Sequence, residues 1–379
     1  MGEAQEVQLH IITEMAKQAN STEQMHASSL STIGKQRNYK RWLRMAIYTL
    51  FLLFGQSSAL ILGRLYYAKG GKSKWLGTLV QLGGFPLLLP YYFISAPKNK
   101  PPKVETVLSK PPSALTLSTV YVFLGLLVAV VCFLFSTGLM YLPVSTYSLI
   151  SSSTLGFNAL FSFFLNSQKF TPFILNSLVL LTISSILLVL QTHSADLTAG
   201  VSKGKYIIGF ICTLGASAGY GLVLSLTQLA FKRVLKRETF SAIMDMIVYQ
   251  SLAATSATLV GLFASGEWKG LNREMEEFEL GKVSYLMTVI WTAILWQVFS
   301  VGCMGLVFEV SSLFSNAISV LGLPIVPVLA VIFFHDKLGG IKVVSMVLAI
   351  WGFISYVYQQ YLDDYQPKPE DRNSNEVSD

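Results

Sequence analysis

Residues 116–141 read TLSTVYVFLGLLVAVVCFLFSTGLMY and contain no Asp, Glu, Lys or Arg. A helix that crosses the hydrocarbon core of a bilayer needs roughly 20 consecutive, mostly apolar residues, and this run supplies them. The whole chain shares the bias: 13% of its 379 residues are charged, about half the share in an ordinary soluble domain. The sequence therefore predicts an integral membrane protein.

Nine further apolar runs of similar length flank this segment. The ten predicted helices cover residues 43–66, 75–95, 116–141, 144–165, 172–191, 206–231, 241–264, 283–309, 311–334 and 341–361. Short charged or proline-containing connections separate them, such as the Lys/Pro stretch 97–112. Most Lys and Arg residues fall on the side of the N-terminus, so we expect both termini in the cytoplasm.

Ten helices divide into two halves of five, and an odd number places the halves in opposite orientation, as in many secondary transporters. Sparse matches between the halves support this division, among them Gly138 with Gly305 and Ser177 with Ser345. The predicted fold is all-α, with two inverted five-helix repeats at 41–195 and 196–362. The tails, 1–40 and 363–379, are polar and predicted to be disordered.

Two predicted helices each carry a polar stripe on one face, as the helical period requires. The stripes consist of Tyr147, Ser151, Thr154 and Asn158 in the fourth helix, and of Ser312, Asn316 and Ser319 in the ninth. Tyr147, Asn158 and Asn316 are candidate substrate ligands, because an unpaired amide is costly in lipid. Alternatively, the Ser and Thr hydroxyls only hold helices together.

Amide and aromatic side chains also occur together in the apolar runs. Gln81 precedes Phe85 by one helical turn, and Gln56 lies midway along the first helix. An amide offers a donor and an acceptor, and an aromatic ring stacks on a flat heterocycle. We therefore add Gln56, Gln81, Phe85, Trp75 and Trp291 to the substrate-binding candidates, with ordinary helix packing as the alternative.

Two acids, Glu309 and Asp245, lie near membrane depth. Ionisable groups there are costly and often functional, and burial helps a carboxyl to take up and release a proton. We predict Glu309 as the first candidate for proton coupling and Asp245 as the second. Because both are near helix ends, a simple interfacial acid is the alternative.

Catalytic and cofactor motifs are missing from the sequence. It contains no P-loop, HEXXH or metal-ligand cluster, so we expect no enzyme activity, no cofactor, no metal and no nucleic-acid partner. Lys and Arg avoid the helix centres, whereas a phosphorylated substrate would call for a cation in its cavity. We therefore expect a substrate without phosphate, carried by a monomer or weak dimer in a lipid bilayer.

The chain resembles the plant purine permeases of the drug/metabolite transporter superfamily from about Arg41 to Asp364. The stretches that carry the resemblance are GGKSKW at 70–75, TLVQ at 78–81, GFP at 84–86, FNA at 157–159, NSQKFTP at 166–172, FEVSSLFSN at 308–316 and WGF at 351–353. Together these motifs are specific, whereas each alone is weak.

The resemblance implies proton-coupled uptake of purine bases and related rings, with adenine, cytokinins and some alkaloid-like compounds as the family's substrate range. We expect a multi-pass protein of the plasma membrane. The proton would be the coupling ion. An exporter or facilitator of another neutral heterocyclic metabolite is the alternative with the same fold. A membrane receptor that binds a ligand without transporting it belongs to a different class.

Overall fold

The computed structural model describes residues 39–94, 113–142, 147, 150–192, 203–235, 240–322 and 340–365. Every element of regular structure in these ranges is a helix. The chain divides into two compact units, Met1–Ile47 and Tyr48–Asp379. The site discussed below lies within the second unit. Nearly all of the two predicted disordered tails lies outside the described residues, as does the second half of the ninth predicted helix.

Twelve α-helices are numbered along these ranges. They are α1 (Tyr39–Ala68), α2 (Lys74–Leu82), α3 (Leu89–Ile94), α4 (Ala114–Tyr141), α5 (Thr154–Asn166), α6 (Pro172–Thr192), α7 (Lys203–Ala230), α8 (Phe240–Ser265), α9 (Leu271–Glu277), α10 (Lys282–Glu309), α11 (Ser312–Gly322) and α12 (Gly340–Tyr365). A π-helical turn, Phe231–Leu235, continues α7. Within the described residues, α1, α4, α7 with this turn, α8 and α10 are long and apolar enough to span a membrane.

The surface and the interior of the helices both differ from those of a water-soluble protein. The outer faces of α4 and α10 expose large apolar side chains, such as Phe123, Val130 and Leu286. In water, an apolar surface of this extent would mark a binding face or cause aggregation. The interior holds many polar side chains instead, including Thr78, Gln228 and Ser345. This pattern, with the five long apolar helices, is that of a helical membrane protein.

The second predicted helix, 75–95, is not continuous. After α2 the chain turns at Gly83–Gly84, forms a 3-10 helix from Phe85 to Leu88, and then enters α3. Pro86 has no N–H to donate, so it cannot continue a regular helical ladder. A Cβ atom on Gly84 would collide with the Ala293 carbonyl of α10. The prediction of one unbroken helix is therefore wrong, and close packing against α10 explains the break.

A polar cluster joins the turn after α1 to the segment between α8 and α10. Its centre is the buried Glu274 of α9, whose carboxylate accepts hydrogen bonds from the Tyr66 and Tyr285 hydroxyls and from the Ser73 backbone N–H. Exposed ion pairs surround it: Lys69–Glu279 at 2.8 Å, Lys72–Glu277 at 3.1 Å and Lys282–Glu276 at 3.0 Å. The cluster fixes the ends of α1, α2 and α10 relative to one another.

Candidate binding cavity

The helices enclose a central cavity of about 210 Å³. A single water needs only about 10–15 Å³ by this kind of measure, so the cavity has room for a small organic molecule. Residues of α1, α2, α4, α7, α8, α10 and α11 line it, together with Tyr147 and the segment Ser151–Thr154. No Asp or Glu is found among the described lining residues.

Unpartnered amide groups mark the wall of the cavity. The buried Oε1 atoms of Gln56 and Gln250 and the Nδ2 atom of Asn316 have no hydrogen-bond partner in the described parts of the chain. Gln250 and Asn316 are only 4% and 2% exposed. An unsatisfied buried polar group costs about 1–3 kcal/mol. A ligand that hydrogen-bonds to these atoms would recover that free energy.

Gln81 adds an oriented acceptor to the same wall. Its Nε2 group donates to the Gly77 carbonyl at 3.1 Å and to the Ser136 hydroxyl at 2.9 Å. Both amide protons are therefore engaged by protein, and Oε1 is the atom that remains for a ligand. The acceptors of Gln56, Gln81 and Gln250 suit N–H groups, whereas the Asn316 amide suits a ring nitrogen or carbonyl oxygen.

Aromatic side chains form two other parts of the wall. Phe135 lies between Tyr147 and Tyr220, with ring centroids 6.1 and 6.3 Å away. On α10, Trp296 and Phe299 make an edge-to-face pair at 5.2 Å. All five rings line the cavity. A cavity wall made of aromatic rings with a few well-placed polar groups suits the stacking of a flat heterocycle.

A side pocket of about 40 Å³ adjoins the cavity. The two share Gln81, Tyr147 and Trp296 in their walls. The pocket is also lined by Tyr66 and Tyr67 of α1. Tyr66 donates a hydrogen bond to Glu274, so the side pocket borders the polar cluster that is centred on Glu274.

Four predicted substrate ligands line the cavity: Gln56, Gln81, Tyr147 and Asn316. Two important lining residues are absent from the predicted set, Gln250 and Trp296. Gln250 carries the signal that identified Gln56 and Gln81, an isolated amide in an apolar run, and could have been found the same way. Trp296 and the predicted Trp291 were equally prominent in the sequence.

Asn158 does not line the described cavity, and both ends of its amide are hydrogen-bonded to protein. Its Nδ2 donates to the Ser312 carbonyl at 3.0 Å, and its Oδ1 accepts from the Ser225 hydroxyl at 2.8 Å and the Ser162 hydroxyl at 3.3 Å. Ser312 in turn donates to Gln228. We call these five side chains the Asn158 network. It joins α5, α7 and α11, so the polar stripe of the fourth predicted helix is partly structural.

The tryptophan chosen on α10 lies on the wrong face. Trp291 is 53% exposed, whereas Trp296 lines the cavity. Gly302 and Gly305 of α10 pack on α1. A Cβ atom on Gly302 would lie 2.5 Å from the Leu52 backbone nitrogen. The glycines therefore serve helix packing, and the neighbouring face of α10 lines the cavity.

Trp75 and Phe85 also lie away from the cavity. Trp75 packs against Phe133, with ring centroids 4.3 Å apart, and its indole occupies the space beside Gly261. Phe85 begins the 3-10 helix that follows the break after α2. Neither residue is placed where it could stack on a ligand in the described cavity.

The two candidate coupling acids lie outside both cavities. Glu309 is the last residue of α10, and Asp245 lies in the first turns of α8. Each is partly buried and interacts with another part of the protein. A coupling role for either acid must therefore act through helix movement rather than through direct contact with a ligand in this cavity.

Comparisons with known proteins agree over almost the whole chain. A family model described as purine nucleobase transmembrane transport matches residues 43–366. Purine permease 21 of Arabidopsis thaliana is 57% identical, with 98% of this chain and 94% of that protein covered. Probable purine permease 10 of the same plant is 59% identical, with 94% and 92% covered. Probable purine permease 13, also from Arabidopsis, is 47% identical over 85% of this chain and 87% of that protein.

A solved structure shares the fold at much lower sequence identity. It is described only as the crystal structure of a protein and is 14% identical. It covers 82% of this chain and 97% of its own, with a TM-score of 0.53. This likeness concerns the backbone arrangement alone.

Proposed function

The chain belongs to the purine nucleobase transmembrane transport family, and we propose that it imports purine bases or derivatives such as adenine and cytokinins by proton-coupled alternating access. The proposal places it in the plasma membrane with both termini in the cytoplasm, as a monomer or weak dimer. The proton is the only coupling ion, and no cofactor takes part. The family consists of transporters and not of enzymes.

The observation that carries the substrate class is a set of amides in an aromatic-walled cavity, three of them with an unpartnered atom. Gln56, Gln81 and Gln250 present acceptors, and Asn316 presents a donor. A purine base has ring N–H or amino donors, ring-nitrogen acceptors and a flat face for stacking. Rejection of analogues that lack such groups is strong where a site's buried polar atoms would be left unpaired.

Alternating access between two inverted halves is supported by a reciprocal contact pattern. Ser184 of α6 and Ser345 of α12 donate to each other's backbone carbonyls, at 2.7 and 2.6 Å. The predicted equivalence of Ser177 with Ser345 makes Gly352 the counterpart of Ser184. A Cβ atom on Gly352 would lie 3.2 Å from the Ser177 carbonyl. When each residue is replaced by its counterpart in the other half, the Ser184–Ser345 contact becomes the Gly352–Ser177 contact, as a pseudo-two-fold axis requires.

Proton coupling is the part of the proposal that needs a carboxyl, with Glu309 the first candidate and Asp245 the second. Glu309 ends α10, whose Trp296 and Phe299 line the cavity, just before α11, which carries Asn316. A change in its charge would act on both helices. A proton entering down the membrane potential supplies about 2.3 kcal/mol per 100 mV, enough for roughly 50-fold accumulation.

Uptake of labelled adenine by cells that lack their own adenine transport tests the function. We expect accumulation that an uncoupler abolishes. The Asn316→Ala variant should lose most uptake, and Asn176→Ala, an amide on α6 outside the cavity, should retain it. Saturable binding without flux in proteoliposomes would instead identify a receptor. Flux that an uncoupler does not affect would identify a facilitator.

The coupling acid has its own test. Glu309→Gln should transport adenine without accumulating it, and its uptake should no longer rise as external pH falls from about 8 to about 5. If the variant accumulates adenine with the normal pH dependence, Glu309 is not the coupling acid, and Asp245→Asn is the next variant.

A further inference from the structure

One cation lines the central cavity. Arg64 of α1 has an exposed side chain and belongs to the cavity wall. It is the one Asp, Glu, Lys or Arg among the described lining residues. Arg64 lies near the end of α1, so it agrees with the expectation that Lys and Arg avoid the helix centres, yet its side chain still belongs to the cavity wall.

Arg64 has no protein counter-ion in the parts of the chain that the structure describes. The acids of the polar cluster around Glu274 already have partners: Glu279 pairs with Lys69, and Glu277 pairs with Lys72 and Arg273. Glu274 accepts from two tyrosines and a backbone N–H. The charge of the guanidinium therefore acts on whatever enters the cavity.

The position of Arg64 on α1 sets the part of a ligand that it can reach. Gln56, Leu60 and Arg64 follow one another at intervals of four residues, and all three line the cavity. At 1.5 Å per residue, Arg64 lies about 12 Å along the axis from Gln56. The unpartnered amide and the cation thus stand at two ends of one wall, with room between them for a bicyclic ring.

We propose that Arg64 is a specificity residue that selects ligands with an anionic or acceptor-rich edge and rejects cationic ones. The inference rests on the proposed transport function and narrows its substrate class to purines and related heterocycles with ring acceptors, oxo groups or an ionised N–H. A guanidinium donates two parallel hydrogen bonds to such an edge. A positively charged heterocycle meets a like charge and no carboxylate in the described wall.

The test is competition against labelled adenine in counterflow across proteoliposomes of the purified full chain. Three competitors of similar shape are compared: urate, which is an anion at neutral pH, neutral hypoxanthine, and a permanently cationic N-methylated purine. For the wild type we expect urate to compete at least tenfold better than the cation. In Arg64→Gln this ratio should fall at least tenfold, and in Arg64→Lys it should fall less, because the charge remains.

The wild type alone keeps the inference testable if Arg64 variants do not fold. Competition by urate should strengthen as pH rises through the ionisation of uric acid. Competition by hypoxanthine should stay constant over the same pH range, in which hypoxanthine remains neutral. Equal competition by anion and cation, or an unchanged ratio in Arg64→Gln, would overturn the role of Arg64. Absence of adenine counterflow in the wild type would overturn the proposed function instead, so the two failures are distinct.

Discussion

The central cavity and the Asn158 network are built from the same residue types but differ in how their polar atoms are paired. In the network, both ends of the Asn158 amide are hydrogen-bonded to protein. In the cavity, atoms of Gln56, Gln250 and Asn316 have no partner among the described residues. A satisfied amide stabilises the fold, whereas an unsatisfied one is available to a ligand. Gln228 Nε2 in the network is also unpartnered but does not line the cavity. A free amide atom together with a place in the cavity wall therefore marks the binding candidates.

Replacement of the central network residue should have the largest effect on stability. Asn158→Ala leaves the Ser312 carbonyl and the Ser225 hydroxyl without this partner, so we expect a loss of about 2 kcal/mol in unfolding free energy. Thermal unfolding of the protein in detergent measures it. The control is Asn176→Ala, whose exposed amide bonds to Ser355 and whose loss should stay within about 0.5 kcal/mol. Equal melting temperatures for the two variants would contradict the contrast.

Replacement of a cavity amide should give the opposite pattern. Gln250→Leu removes an unpartnered oxygen, so stability should change by less than about 0.5 kcal/mol or rise slightly. Adenine affinity should fall about tenfold, equivalent to about 1.4 kcal/mol. Binding and melting are measured on the same preparation. If Gln250→Leu melts as early as Asn158→Ala, Gln250 is structural.

Ligand protection of a native cysteine sharpens the location of the site. Cys132 and Cys303 line the cavity, and Cys212 does not. In a Cys303→Ser background, adenine at about four times its Kd should slow alkylation of Cys132 about fivefold, since only the free protein reacts. Cys212 provides the internal control and should react at an unchanged rate. Protection of Cys212 rather than Cys132 would place the ligand elsewhere.

Replacement of the exposed ion pairs around the polar cluster should have the smallest effect on stability. The hydrogen bond from Arg273, with a second from Lys72, lowers the pKa of Glu277 from its ordinary value of 4.5. The stability that ionised Glu277 contributes is therefore fully present above pH 4.5 and is lost only as pH falls through the lowered pKa. Exposed pairs contribute little, so Glu277→Gln should melt like the wild type at pH 7. A clear loss of stability on acidification from pH 7 to about 5.5 would indicate another group.

Sequence reasoning identified the helical membrane fold, the positions of the apolar segments and four cavity residues. It found cavity-lining residues where an amide stood alone in an apolar run, as with Gln56 and Gln81. It failed at Asn158 because periodicity places a residue on a face but does not reveal its hydrogen-bond partners. It chose Trp291 although Trp296 is equally prominent in the sequence, because the sequence does not show which of the two faces the interior.

Two other features required the three-dimensional structure. Arg64 lies close to Lys69 and Lys72 in the sequence, which is typical of a solvated turn, and its place in the cavity wall is visible only in the structure. The break after α2 combines Gly83, Gly84 and Pro86, whose effect depends on how closely α10 approaches. Both depend on contacts between residues far apart in the chain, which a local pattern does not contain.

The crossing of α6 and α12 offers a stationary reference for motion in this protein. Leu181 and Ala349, midway between the Ser184–Ser345 and Ser177–Gly352 contacts, are both buried. In the proposed inverted-repeat arrangement, the axis that relates the two halves passes through this crossing. Points on such a line keep their separation when the two halves exchange conformations. Spin labels placed beside this crossing should therefore report a constant distance throughout turnover, against which opening and closing elsewhere can be calibrated.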